Sequence, residues 1–108
     1  MCSSDLEAVL ALEKSGQRER AAIAYHSMLQ RWPNSLVALM GRGNAAYERG
    51  DLALAESSFR EAVRHHPKSV AALNNLAQTL LDGSKLDEAR AMAERAVALG
   101  GQIGRAHV

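Results

Sequence analysis

Large rings are scarce in this sequence of 108 residues. It has one Trp, one Phe and two Tyr, so aromatics are 4% of the chain, and a core filled by Phe and Trp is not expected. Two prolines and eight glycines fall mostly at candidate element boundaries. A single cysteine, Cys2, excludes an internal disulfide and leaves the compartment open. No apolar run approaches the ~18 residues of a membrane span. The start lacks a basic region followed by an apolar one, so no signal peptide is read there. The net charge is +1, with both signs interspersed. Without a basic block or an acidic tail, no nucleic-acid partner, no membrane partner and no disordered arm are expected. The expectation is a soluble, cytoplasmic protein, with a true N-terminus that could lie upstream. Alanine, by contrast, occurs 20 times. As the best helix former it favours closely packed helices over sheet.

Those helices repeat. Pro33 and Pro67 are 34 residues apart, and Gly101 lies another 34 on. Gly16 and Gly50 share a place with Ser84, beside Gly83. Ala21, Ala55 and Ala89 recur strictly at the same period, and so do the places of Tyr25, Phe59 and Ala93, of Met28, Ala62 and Ala96, and of Leu29, Val63 and Val97. The clearest unit is Gly43 to Pro67. It reads as helix through Arg49, turn at Gly50-Asp51, helix through His65 and a stop at Pro67. A fixed period of this length is the mark of stacked units that bury their faces only against neighbours.

A 34-residue helix–turn–helix period resembles the tetratricopeptide repeat. The middle repeat carries Leu39, Gly43, Ala55, Phe59, Ala62 and Pro67 in the pattern's places. Arg42 stands where Leu is usual, and Ala46 where Tyr is usual, with Tyr47 one step on. The third repeat carries Leu73, Leu76, Ala77, Leu80, Ala89 and Ala96, departing at Ala93 and Gly101. The first has a good second helix (Ala21, Tyr25, Met28, Pro33) and a poor first one. The resemblance implies an all-α fold, an α-solenoid of three repeats (about 2–35, 36–69 and 70–101) and six antiparallel helices in a right-handed superhelix.

Residues 1–6, MCSSDL, and 103–108, IGRAHV, do not fit the period and resemble translated sequencing adapter. The codons ATC GGA AGA GCA CAC encode Ile103 to His107. Their reverse complement, GTG TGC TCT TCC GAT, reads Met (as a GTG start), Cys, Ser, Ser, Asp, which is the other end of the chain. On this reading residues 7–102 are the repeat domain and an internal piece of a longer protein, and Cys2 and His107 have no role.

Element by element, Glu7 to Ser15 is the remnant of the first helix and Gly16-Gln17 the turn after it. Arg18 to Arg31 is the second helix, with Ala21, Ala22, Tyr25, Met28 and Leu29 inward. The residue before Pro33 is pushed out of helical geometry, and Asn34 or Ser35 can cap the next helix. Leu36 to Arg49 follows, with Gly43 allowing a close helix approach, then Gly50 in a left-handed turn and Asp51 as cap. Leu52 to His65, Val70 to Asp82 and Leu86 to Leu99 complete the series, with Gly100-Gly101 expected to stop the last. No capping helix follows it, so Leu86, Ala89, Ala93 and Val97 are expected to form an exposed face open to self-association.

Catalytic, cofactor and metal residues are not expected. The sequence has no Gly-rich phosphate loop, no nucleophile elbow and no His-Glu-x-x-His helix. His65-His66 is the only His pair. Adjacent helical residues point about 100° apart and cannot share a ligand on one face, whereas His at a helix C-terminus is favoured by the dipole. His26 is read as solvated.

Binding is the sharper reading. Opposite the core side of Val70–Asp82 stand Asn74, Asn75 and Gln78, three amides able to hold an extended peptide backbone. Asn is a poor choice inside a helix unless its side chain has a task. The matching face of the middle repeat carries Met40, Asn44 and Glu48, with Tyr47 at its edge. The resemblance implies that first helices line a concave groove for a protein or peptide partner, and LNNLA is similar to repeats whose Asn bonds a peptide. One peptide mode of the family clamps a C-terminal carboxylate with Lys and Arg. Its places here hold Leu6, Leu10, Asn44, Ala71 and Asn75, so that mode is not expected. The expected function is a non-catalytic protein- or peptide-binding scaffold. The alternative is the repeat lobe of a larger enzyme, glycosyl- or sulfotransferase-like, or of a regulator.

Overall fold

The computed structural model describes residues 18–107. The expected helix 7–15 and the turn at Gly16-Gln17 lie outside the described residues. Five helices follow: α1 (Arg18–Arg31), α2 (Leu36–Glu48), α3 (Leu52–His65), α4 (Val70–Asp82) and α5 (Leu86–His107). No strand occurs among the described residues. The principal contacts run α1 to α2, α2 to α3, α3 to α4 and α4 to α5, so each helix rests on its neighbours in sequence. The chain is an all-α helical-repeat solenoid.

Short polar side chains start the helices by accepting otherwise unpaired backbone N–H groups. Ser35 Oγ accepts from the Ala38 N–H at 3.3 Å, and Ser69 Oγ, one period on, from Ala72 at 3.2 Å. Ser35, rather than Asn34, is therefore the cap of α2. Asp51 Oδ1 accepts from Leu54 at 3.1 Å and caps α3. The turns before α3 and α5 both use a left-handed residue, Gly50 at φ 80° and Ser84 at φ 63°. Gly83, beside Ser84, has an ordinary negative φ.

The core runs unbroken along the stack. Ala21, Ala55 and Ala89 are all buried, as are Leu39, Leu73, Leu76 and Leu80. The two large rings of this core each sit on a glycine of α2. A Cβ on Gly41 would lie 2.2 Å from the Tyr25 ring, and one on Gly43 would lie 2.4 Å from the Phe59 ring. Any side chain there would push a buried aromatic out of place. The polar interior is satisfied. Ser58 is fully buried and Arg42, in the place where Leu is usual, donates from Nε to its Oγ at 2.8 Å. Among the described residues no buried side-chain N or O lacks a hydrogen-bond partner.

Two expectations about the last helix are corrected. It does not stop at Gly100-Gly101 but runs on to His107. Glycine weakens a helix by about 1 kcal/mol relative to Ala without forbidding it, and the sequence after Leu99 has no proline to break it. Gly100 is half-buried, and a Cβ there would lie 3.8 Å from Val70 Cγ1 at the start of α4, an ordinary packing distance. Nor is the expected face of Leu86, Ala89, Ala93 and Val97 a single exposed surface. Ala89 is buried and Ala93 half-buried, while Leu86 and Val97 remain exposed. The reason is helical geometry: Ala89 and Ala96, a seven-residue interval, share the side that packs into the core.

Candidate peptide-binding face

Polar links tie the second and third repeats together on both sides of this core. On one side α3 meets α5. Glu56 accepts from Lys85 Nζ at 3.0 Å and from Arg60 Nε at 2.9 Å, and Arg60 also reaches Glu88 at 2.8 Å. Desolvation opposes the Glu56 charge, but the hydrogen bonds from Lys85 and Arg60 outweigh it and hold the carboxyl below its usual range. On the other side α2 meets α4, and here the sequence-predicted residues gather. Asn75 Nδ2 donates to Asn44 Oδ1 at 3.0 Å. Tyr47 donates its hydroxyl to Asp82 Oδ2, and Gln78 Nε2 donates to Asp82 Oδ1 at 3.1 Å. Donation to Asp82, followed by partial desolvation, raises the Tyr47 pKa above its ordinary value.

Asn44, Tyr47, Asn75 and Gln78, with Phe59 below them, line a recess of about 180 Å³. Asn75 is half-buried at the edge of the buried side of α4, three residues after Ala72 and four before Thr79, both buried. The backbone carbonyl of Asn75 also accepts from Thr79 Oγ1 at 2.8 Å.

The predicted residues do not all share this recess. Asn74 lines a second, wider recess of about 620 Å³ between α4 and α5, with Ala77, Leu81, Leu86 and Arg90. Adjacent helical positions diverge by about 100°, so Asn74 and Asn75 serve different surfaces, while Gln78 lines both. Met40 packs against the core and lines neither. Sequence reading missed Asp82, the carboxylate at which Tyr47 and Gln78 converge. Its signal was present: Asp82 lies four residues after Gln78 and thus one helical turn along the same face.

His65 and His66 have structural partners. His65 Nε2 lies 3.3 Å from Glu61. His66 Nε2 lies 2.7 Å from the Asn34 carbonyl oxygen. A carbonyl only accepts, so this ring nitrogen carries the proton and joins the loop after α3 to the loop before α2. Among the described residues no group of His, Cys, Asp and Glu could hold a metal ion. No helix among them is long and apolar enough to cross a membrane.

Comparison with known proteins agrees with this architecture. Two solved structures superpose on the chain. The first TPR of Spaghetti (RPAP3) bound to HSP90 peptide SRMEEVD is 25% identical, with a TM-score of 0.80 over 86% of this chain and 74% of that one. The second TPR of Spaghetti (RPAP3), bound to the same peptide, is 20% identical, with a TM-score of 0.82 over 89% of each chain. The search of curated proteins gives no significant match. A family model described as tetratricopeptide repeat matches residues 6–64 and 40–102, which together span almost the whole sequence. The chain belongs to the tetratricopeptide-repeat family.

Proposed function

We propose that this chain is a non-catalytic module that holds an extended segment of a partner protein along the α2–α4 face. The observation that carries this reading is the Asn44–Asn75 pair, two amides from successive first helices that meet at 3.0 Å over the recess. A side-chain amide offers both donors and an acceptor, which matches the alternating C=O and N–H groups of an extended backbone. Two such amides on neighbouring helices give a peptide two successive anchoring points. The two solved Spaghetti domains, each bound to a peptide, support a peptide as the kind of partner.

The carboxylate-clamp variety of that mode is disfavoured, because the matching places at Asn44, Ala71 and Asn75 include no Lys or Arg. Asn44→Ala combined with Asn75→Ala is expected to weaken binding of peptides selected on an array of extended sequences by at least about tenfold. Two lost hydrogen bonds of about 1 kcal/mol each would give about thirtyfold, and tenfold is the lower end of that range. Helicity by circular dichroism should be unchanged. Undiminished affinity in the double variant would remove Asn44 and Asn75 from the binding face.

A further inference from the structure

The α2–α4 face has a sign. Within Leu36–Glu48 and Val70–Asp82 the only cation is Arg42, and its Nε is spent on Ser58 of α3. The nearest following cation, Arg49, lies past the end of α2 at the turn. Arg90 lines the other recess, between α4 and α5. The carboxylates on the two helices are Glu48, which has a partner of its own, and exposed Asp82. Asp82 is more than a surface acid. Tyr47 from α2 and Gln78 from α4 each donate to one of its oxygens, so its orientation is fixed by both helices before any ligand arrives. Beside it stands the half-buried Tyr47 ring, which with Gln78 borders the recess, while Phe59 at the recess floor is itself buried.

A fixed carboxylate next to a partly exposed aromatic ring is the environment that attracts an ammonium or guanidinium, through charge and through the ring quadrupole. It is equally the environment that repels an acidic peptide.

Resting on the α2–α4 binding reading, we infer that the partner segment carries a Lys or Arg side chain that docks on the outer side of the Asp82 carboxylate, against the exposed side of the Tyr47 ring. The face thus selects basic extended segments over acidic ones. This is opposite in sign to SRMEEVD, which has three acidic residues.

The test uses the full chain and three C-terminally amidated peptides: SRMEEVD, its counterpart with the three acidic residues changed to Lys, and a counterpart with them changed to Gln. Binding is read by isothermal titration at low and moderate salt. The basic peptide is expected to bind tightest and the acidic one weakest, with the gap shrinking as salt rises. Asp82→Asn is expected to narrow the basic-over-acidic preference by about two- to fivefold, the range of a solvent-exposed ion pair. Asp82→Lys is expected to reverse it. Equal or tighter binding of the acidic peptide, or a preference that Asp82→Asn leaves untouched, overturns the inference while leaving the binding face in place. Failure of all three peptides to bind would overturn the binding face itself, and this inference with it.

Discussion

Ser84 holds the left-handed turn between α4 and α5 with a side chain that resists it. Gly50, one period earlier, adopts φ 80° with no Cβ to clash, whereas Ser84 sits at φ 63°. For an L-residue that conformation costs about 1–2 kcal/mol. Ser84→Gly is therefore expected to stabilise the chain by roughly 0.5–1 kcal/mol, and Gly50→Ala to destabilise it by about 1 kcal/mol or more. Gly83→Ala should be tolerated, since its φ is −87° and a Cβ there would meet only backbone oxygens at 3.5 and 3.7 Å. Thermal melts of the three variants decide this, and a lowered midpoint for Ser84→Gly would refute it. The period alone puts Ser84 in the place of Gly16 and Gly50. It could not say whether Ser84 or the adjacent Gly83 takes the unusual φ, because either could make the turn. Arg42 is a similar case. In sequence it is a departure from the expected Leu, and only the fold shows the buried Ser58 hydroxyl that it serves.

Among the helices, the α3–α5 link is a pH-dependent joint. Glu56 ionises more readily in the folded chain than in the unfolded one. Its stabilisation is therefore complete above the unfolded value near 4.5 and is lost as pH falls through the lower folded value. Glu56→Gln is expected to reduce stability at neutral pH by about 0.5–1 kcal/mol, a figure kept small because solvent screens the pair. The difference from the unmodified chain should vanish well below pH 4.5. Urea unfolding midpoints at neutral and acid pH measure this, and a gap that persists in acid would place the effect elsewhere than in the Glu56 charge. Helix starts and lengths were legible wherever a short polar residue or a proline fixed them, as at Ser35, Asp51 and Ser69. The end of α5 was not, because glycine permits a helix to stop without forcing it to. The split of Asn74 from Asn75 was obscured for another reason. A two-sided view of α4, core against groove, has no room for the third direction that α5 occupies.

At the scale of the whole molecule, the pattern of contacts sets where the stack is firmest. Helix α3 packs on both α2 and α4 and is tied to α5, while α4 packs on both α3 and α5 and is tied to α2. These two are therefore expected to be the most protected helices in native-state hydrogen exchange, with α1 and α5 opening first. Uniform protection along the chain would show instead that the described helices unfold as one unit. The 34-residue period made the solenoid and its core legible from sequence, since it places Ala21, Ala55 and Ala89 in equivalent buried positions. The site was legible only in its amides. Asp82 gains meaning from the distance between two helices, which no spacing within one helix reports.

The neighbour-to-neighbour packing also bears on how the protein comes into being. Ribosomes add about 5–20 residues per second, so one repeat takes about two to seven seconds to emerge. Helices form in about a microsecond. From α2 onward, each described helix enters solution with the surface it packs on already made. Assembly can therefore proceed from the first repeat to the last in the order of translation, and no helix has to wait, exposed, for a distant part of the chain.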